Sequence, residues 1–167
     1  MTPKHFITKY KPDAVKSQEE YGIDYRFTLA QAALESGWGE HAPGNMFFGV
    51  KASKDTPESK RQLLTTTEIF NDDKQGHRFP VVLSVTKRPD GKYTYRVKDW
   101  FRKYNSPEEC FSDRAELFYR NNRYAEALKV KHDPYRFADA IAKAGYATAP
   151  NYADSLKQVI KTIERNL

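Results

Sequence analysis

The chain has 167 residues, of which 39% are hydrophobic and 30% charged, a balance typical of one globular domain with a sizeable core. Lys and Arg number 28 against 22 Asp and Glu, which gives a net charge of +6 at pH 7 and favours anionic partners. The basic residues are scattered, however, whereas nucleic-acid modules cluster them on one face. No apolar run approaches the roughly 20 residues that a membrane-spanning helix needs. We therefore expect one domain over residues 1–167, with no nucleic-acid partner and no insertion into a membrane.

The N-terminus and the single cysteine bear on the compartment. Residues 1–7, Met-Thr-Pro-Lys-His-Phe-Ile, lack the continuous apolar stretch of a secretory signal. Export by the general route is therefore not expected, unless a leader has been removed. Cys110 is the only cysteine, which excludes an internal disulfide, and we expect it to be a small packing residue.

The N-terminal segment, residues 3–35, is predicted to be helical. Pro3 suits a first helical turn, and apolar residues recur along the segment at helical spacing. Asp24 or Thr28 is expected to cap the helix that forms the end of this segment, and Gly37 is expected to end it.

The next segment, residues 44–104, changes to the pattern of β-strands. Residues 63–70 are rich in β-branched side chains. Residues 79–86 and 92–101 flank Arg-Pro-Asp-Gly at 88–91, a turn signature between two strand-like runs. We expect a small antiparallel sheet here.

Helices are predicted again after residue 104. Ser106 is followed by Pro and two Glu, which together mark a capped helix start with an acidic first turn. Asp133 opens a further helix that closes at Gly145, and Pro150 or Asn151 opens the last one. The order is thus helical, strand-like, helical, which predicts an α+β fold.

A glutamate at the first of these boundaries is the leading candidate for chemistry. A glycosidase needs a carboxylic acid that stays protonated until it donates to the leaving oxygen, and an apolar, partly dry pocket is the usual means. Glu35 follows a run of alanines and precedes Trp38, so we expect such a pocket around it. The alternative is a solvated glutamate at a helix C-terminus, where the helix dipole disfavours negative charge.

Four blocks of sequence carry a resemblance to a known family. They are 29–39 (Leu-Ala-Gln-Ala-Ala-Leu-Glu-Ser-Gly-Trp-Gly), 45–52 (Asn-Met-Phe-Phe-Gly-Val-Lys-Ala), 101–106 (Phe-Arg-Lys-Tyr-Asn-Ser) and 144–153 (Ala-Gly-Tyr-Ala-Thr-Ala-Pro-Asn-Tyr-Ala). In this order they resemble the family 73 glucosaminidases, which include the hydrolase domain of the flagellar rod-assembly protein and several autolysins. Two departures are Met46, where the family usually has Asn, and Ala149, where Asp is common.

The resemblance implies both a fold and a reaction. The fold is lysozyme-like, with a mainly helical lobe and a small antiparallel β lobe, at about 44–104, flanking a substrate cleft. The reaction is hydrolysis of the β-1,4 bond between N-acetylglucosamine and N-acetylmuramic acid in peptidoglycan, and the family's general acid corresponds to Glu35. The alternatives are a lysozyme or lytic transglycosylase that cleaves the neighbouring bond, and a non-catalytic wall-binding module.

Most glycosidases use a second carboxylate as base or nucleophile. Glu68 is the best candidate, because family members that use a second acid place it on a β-lobe strand after the general acid. A solvated glutamate on a two-faced strand is the alternative. Asp72, Asp73 and Asp99 are weaker candidates, and the 2-acetamido group of the substrate could serve if none of these carboxylates does.

Other site residues are expected from the same blocks. Tyr146, where the family has a functional tyrosine, could orient the acid or stack on a sugar, or simply anchor its loop. The expected substrate-binding residues are Trp38, Asn45, Phe47, Phe48 and Tyr152. Of these, Trp38 and Phe48 could equally belong to the core, and Asn45 could stabilise a turn.

The four histidines show no metal-ligand spacing, and neither a phosphate-binding glycine loop nor a nucleophile elbow occurs. We therefore expect no metal and no cofactor. The expected partners are peptidoglycan glycan strands, bound by a monomer that acts on the cell wall or in the periplasm. Without a visible signal peptide, release by lysis or a dedicated secretion system would take the chain there.

Overall fold

The computed structural model of the chain describes residues 1–167. It contains six α-helices and three β-strands. The helices are α1 Pro3–Tyr21, α2 Tyr25–Ser36, α3 Pro107–Arg120, α4 Ala125–Leu128, α5 Pro134–Lys143 and α6 Tyr152–Arg165; the strands are β1 Arg61–Phe70, β2 Val81–Lys87 and β3 Tyr93–Arg102. The α+β fold predicted from the sequence is confirmed.

The chain divides into two compact units. The first combines Met1–Phe48 with Tyr104–Leu167 and holds all six helices, and the second is Gly49–Lys103 and holds the sheet. The sheet-containing unit therefore begins five residues later than the strand-like segment predicted at 44–104.

The N-terminal helical segment consists of two helices, α1 and α2, and the expected helix start at Asp24 or Thr28 falls at Asp24. Gly22 ends α1 in the left-handed conformation, with φ of 78°, which glycine adopts without the steric penalty of a Cβ. Asp24 then caps α2 by accepting a hydrogen bond from the Arg26 backbone N–H at 2.8 Å. Thr28, the alternative cap, lies inside α2 and is buried.

The sheet has the order β1-β3-β2 and is antiparallel throughout. The predicted turn at 88–91 joins β2 to β3, where the Arg88 N–H donates to the Lys92 carbonyl at 2.7 Å. Tyr95 and Val97 on the central strand are fully buried. The hydroxyl of Tyr95 donates to the Asp72 carbonyl at 2.7 Å, which fixes the loop after β1 against the sheet.

Aromatic rings form much of the core of the helical unit. One cluster, on α2, α3 and α5, contains Phe27, Phe118 and Phe137, whose ring centroids lie 4.7 to 6.2 Å apart in edge-to-face contacts. Phe118 also contacts Tyr146 at 5.8 Å, so this cluster extends from the core to the loop before α6. Cys110 is buried, as expected of a packing residue, and burial raises the pKa of its thiol to about 12.

Candidate active site

Glu35 lies in the last turn of α2, just before Gly37 ends the helix with φ of 59°. The preceding Ala32 and Ala33 are fully buried, whereas the Glu35 side chain is exposed. Ala33, two positions before Glu35, points to the opposite side of the helix, about 200° away, and the carboxylate itself lies on the exposed side. The expectation of an apolar, partly dry pocket around Glu35 is therefore wrong as far as the helical unit is concerned, because the side chain is exposed there.

One buried side chain bonds the Glu35 carboxylate, and a second buried side chain bonds the first. The Tyr152 hydroxyl, at the start of α6, donates to Glu35 Oε1 at 3.0 Å. The same hydroxyl accepts a hydrogen bond from Gln31 Nε2 at 3.1 Å. Gln31 is 1% exposed and lies one helical turn before Glu35. Burial, and after it the interactions with Tyr146 and with the Glu35 carboxylate, raises the pKa of Tyr152 well above its usual range, so this hydroxyl remains a donor.

Tyr146 lies beside this pair on the loop between α5 and α6. Its ring stacks on that of Tyr152, with centroids 5.4 Å apart and an interplanar angle of 23°. Its hydroxyl accepts a hydrogen bond from Arg114 Nη1 at 2.7 Å. Burial raises the pKa of Tyr146 to about 12, although the Arg114 charge opposes this shift. Tyr146 is thus a neutral phenol that contacts the residue holding Glu35.

A pocket of about 360 Å³ opens at the Glu35 carboxylate, a volume within the range of small-molecule sites, about 300–1,000 Å³. Its lining is entirely within the helical unit and includes Glu35, Phe48, Arg114, Arg123, Tyr146 and Ala147. The pocket therefore brings three of the predicted site residues together, namely Glu35, Tyr146 and Phe48.

The two phenylalanines at 47 and 48 differ in position. Phe48 is half-buried at the pocket, with the Arg114 guanidinium 4.7 Å from its ring centroid. Phe47 is 1% exposed and packs on Tyr10 and Phe111, with centroids 5.0 and 5.2 Å apart. Its ring has no surface left for a sugar, so the substrate-binding role expected of Phe47 does not fit, because the side chain belongs to the core.

Trp38 and Asn45 occupy strained positions outside the pocket lining. Trp38 has φ of 56°, and its half-buried indole packs edge-to-face with the ring of Phe6, with centroids 5.5 Å apart. Asn45 has φ of 57° and donates from Nδ2 to the Tyr104 carbonyl at 3.1 Å. Left-handed backbone is uncommon for residues other than glycine, costs about 1–3 kcal/mol, and persists only where the surrounding contacts impose it. Both side chains thus have structural contacts, and their substrate-binding roles stay predictions.

Glu68 lies on β1, in the sheet-containing unit, and pairs with a lysine. Lys51 Nζ is 2.7 Å from Glu68 Oε1 and 3.3 Å from Asp99 Oδ2. Burial would lower the pKa of Lys51, but the hydrogen bonds and charges of Glu68 and Asp99 raise it overall. The Glu68 carboxylate is therefore held by a charged ammonium group. Asp72, one of the weaker candidates, instead accepts from the Lys74 backbone N–H at 2.8 Å and stabilises its own turn.

Three residues of the site were not predicted from the sequence. Gln31 carried a local signal, because it is a polar residue in an alanine run and four positions before Glu35. Arg114 and Arg123 carried none, because they come from α3 and the segment after it, about 80 residues along the chain from Glu35.

No group of three or more His, Cys, Asp or Glu side chains is arranged to hold a metal ion. None of the helices combines the length and the apolar character required to cross a membrane.

Comparison with known proteins identifies relatives over almost the whole chain. Residues 11–165 match the glucosaminidase family, described as mannosyl-glycoprotein endo-β-N-acetylglucosaminidase. The peptidoglycan hydrolase FlgJ of Vibrio parahaemolyticus is 32% identical over 98% of this chain and 48% of its own length. The exo-glucosaminidase LytG of Bacillus subtilis is 30% identical over 93% of this chain and 50% of its own length. The chain thus spans about half the length of these two relatives.

A solved structure extends the comparison to the fold. The C-terminally truncated glycoside hydrolase domain of Salmonella typhimurium FlgJ is 32% identical and superposes with a TM-score of 0.73. The match covers 98% of this chain and 99% of that one. The fold is therefore shared across both chains almost from end to end.

Proposed function

The chain belongs to the glucosaminidase family of glycoside hydrolases, and from that membership we propose that it hydrolyses the β-1,4 bond between N-acetylglucosamine and N-acetylmuramic acid in bacterial peptidoglycan. The name of the peptidoglycan hydrolase FlgJ supports this substrate, and that of the exo-glucosaminidase LytG supports cleavage at a glucosaminyl residue. The observation that carries the proposal is the Glu35 carboxylate, which lines a sugar-sized pocket and is oriented by the hydroxyl of Tyr152.

In this reaction Glu35 is the general acid. The Tyr152 O–H occupies Oε1 as a donor, so the acidic proton of Glu35 is carried on Oε2. That proton passes to the glycosidic oxygen, the bond from this oxygen to C1 of N-acetylglucosamine breaks, and one water finally supplies the hydroxyl at C1. The products are a reducing N-acetylglucosamine end and a free 4-hydroxyl on N-acetylmuramic acid. Tyr146 supports the acid through its stacking on Tyr152.

The first experiment replaces Glu35 by Gln and measures release of reducing N-acetylglucosamine from purified cell wall. Glu40→Gln is the matched control, because it makes the same change on an exposed glutamate whose only salt bridge is with the N-terminal amine at 3.5 Å. We expect Glu35→Gln to abolish release with an unchanged circular dichroism spectrum, and Glu40→Gln to retain activity. Full activity in Glu35→Gln would remove Glu35 from the mechanism.

The same digestion separates the competing reactions, because a lytic transglycosylase leaves 1,6-anhydro-N-acetylmuramic acid in place of a reducing end. Anhydro ends in the wild-type digest would replace the hydrolase proposal. Binding to cell wall without any new ends would indicate a non-catalytic module.

Glu68 is proposed as the second carboxylate. Its place on a strand that follows the general acid, and its fixed position beside Lys51, support this role. We expect Glu68→Ala to lose activity and azide to restore cleavage, giving an α-glycosyl azide as the small anion attacks C1 in place of the carboxylate or water. Asp99→Asn is the control, since it also removes a partner of Lys51. Equal losses in both variants, with no rescue by azide, would assign Glu68 to the ion pair alone.

The proposed substrate fixes where the reaction occurs. Peptidoglycan lies outside the cytoplasmic membrane, so the place of action is the cell wall or periplasm. We propose that the chain acts as a monomer, and sedimentation analysis at working concentration tests this.

A further inference from the structure

Two arginines line the pocket beside Glu35, and neither is used by the proposed reaction. We propose that Arg114 and Arg123 bind a carboxylate carried by the muramoyl residue of the substrate, and so make the enzyme selective for charged glycan. This inference rests on the proposed function, since it assigns a role at the same site. It goes further by naming the substrate group that the pocket recognises.

Arg114 is held in place and still has donors to offer. It gives one hydrogen bond, to the Tyr146 hydroxyl at 2.7 Å, and stacks over Phe48 at 4.7 Å. A guanidinium has five N–H groups in a planar fork that matches a carboxylate, so four N–H groups of Arg114 are not bonded within the chain. Because Phe48 and Tyr146 already fix the side chain, little conformational entropy is lost when it binds a ligand.

Arg123 is less constrained and lies at the edge of the same pocket. Its guanidinium is 4.9 Å from the ring centroid of Tyr124, and it forms neither a salt bridge nor a hydrogen bond within the chain. Its Nη1 is 3.8 Å from the point where a Cβ on Gly145 would lie. The absence of a side chain at Gly145 thus keeps open the space beside this arginine.

The charges of the pocket are unbalanced. Its charged lining residues are Glu35, Arg114 and Arg123, which gives a net charge of +1 with Glu35 ionised and +2 with Glu35 in the protonated form that the reaction needs. Some other arginines are paired with a carboxylate, as Arg26 is with Asp24 at 2.9 Å. Neither pocket arginine forms an ion pair with Glu35, whose carboxylate bonds to Tyr152. An anionic group from the substrate would supply the missing charge.

Peptidoglycan offers such a carboxylate from two sources. In glycan strands without peptides it is the lactyl carboxylate of N-acetylmuramic acid. In intact peptidoglycan the lactyl group is an amide, and the free carboxylates are those of the stem peptide. The chemistry recognised by a guanidinium fork is the same in both.

The test compares four substrates: peptide-free glycan strands, the same strands with their carboxylates converted to methylamides, intact peptidoglycan, and intact peptidoglycan amidated in the same way. Initial rates of N-acetylglucosamine end formation give kcat/KM for the wild type and for Arg123→Gln, Arg114→Gln and Arg120→Gln. Arg120 is the matched control, because it lies on α3, pairs with Glu116 at 3.4 Å, and is absent from the pocket lining.

We expect the wild type to prefer the charged form of at least one pair by about tenfold to a hundredfold, the range of a hydrogen bond to a charged group. Arg123→Gln should lose most of this preference, mainly through a higher KM on the charged form, and its rate on the amidated form should change little. Arg120→Gln should keep the preference. The pair that shows the effect identifies the lactyl or the stem-peptide carboxylate as the source.

Three outcomes would overturn the inference. The wild type could cleave charged and amidated substrates equally, both pocket variants could keep the wild-type preference, or Arg120→Gln could lose as much preference as Arg123→Gln. In all three the reducing ends still form, so the proposed function survives. Failure of the wild type to produce reducing N-acetylglucosamine from any of the four substrates would instead overturn the proposed function itself.

Discussion

Hydrogen bonds connect Gln31 to the Tyr152 hydroxyl and that hydroxyl to Glu35. The Tyr152→Phe variant tests what this hydroxyl contributes to stability and to catalysis. Tyr152→Phe removes that hydroxyl and keeps the ring that stacks on Tyr146. The Gln31 amide, 1% exposed, then loses the partner it donates to at 3.1 Å. An unsatisfied buried donor costs about 1–3 kcal/mol. For a chain of this size about 2 kcal/mol lowers the melting temperature by roughly 4–8 °C.

A second substitution tests whether the unpaired amide causes this loss. Gln31→Met replaces the amide by an apolar side chain of similar length, so the double variant Gln31→Met/Tyr152→Phe has no unsatisfied donor. Removing both partners of a buried hydrogen bond is often nearly neutral, so the double variant should lose less stability than the sum of the single variants. Thermal and urea unfolding, followed by circular dichroism, give the coupling free energy. Strict additivity, or a Tyr152→Phe variant as stable as the wild type, would refute the proposed bond network.

The same variant distinguishes a positioning role of Tyr152 from the substrate-binding role predicted from the sequence. If the hydroxyl acts by orienting Glu35, kcat should fall about tenfold, equivalent to about 1.4 kcal/mol, while KM stays near the wild-type value. If it binds sugar directly, KM should rise instead. An unchanged kcat with a raised KM would contradict the positioning role.

Two further predictions concern the folding of the helical unit. Gly22→Ala should lower the free energy of unfolding by about 1–2 kcal/mol, because φ of 78° is unfavourable for alanine. Gly76→Ala is the control and should be nearly neutral, because the φ of Gly76 is not positive and a Cβ there would be in ordinary contact at 3.4 Å. Urea denaturation measures both changes. Cys110 should not react with a thiol reagent at pH 8 until the chain unfolds. The pKa of the Cys110 thiol is about 12 in the folded chain and 9.0 ordinarily. Between pH 9 and pH 12 the unfolded chain therefore binds fewer protons than the folded chain. The free energy of unfolding should fall over this range by up to about 1.4 kcal/mol per pH unit on account of this thiol. A pH-independent stability over that range, or rapid labelling of the folded chain, would contradict the burial of Cys110.

Elements that depend on local bonds could be predicted from the sequence. Ser106 and Asp133 were expected to open helices, and each does so by accepting backbone N–H bonds from residues two or three positions later. The three strands lie within two residues of their predicted ends, because β-branched runs and the turn at 88–91 define them locally. A helix start at Asp24 or Thr28 was also expected, and Asp24 is the cap, whereas the role of Gly22 in ending α1 was not predicted.

The environment of the site could be predicted only in part, because sequence adjacency misleads about side-chain direction. Phe47 and Phe48 are neighbours with the same side chain, yet one is in the core and the other lines the pocket. Neither the alternation of a strand nor the spacing of a helix applies to this segment, so nothing local assigned the two rings to different surroundings.

The surroundings of Glu35, the proposed general acid, likewise could not be predicted from its neighbours in the sequence. Its sequence neighbours are alanines, which suggested an apolar pocket, but the Glu35 side chain is exposed and its carboxylate takes its contacts from distant segments. Tyr152 is 117 positions away, and Arg114 comes from a separate helix. Instead of the expected dry pocket, the structure shows a hydrogen bond to one carboxylate oxygen of Glu35 and two arginines that line the same pocket. For the general acid proposed above, such a site would fix the orientation of the carboxylate through Tyr152 instead of excluding water from it, which is why Tyr152→Phe, and not a change in the alanine run, is the decisive substitution.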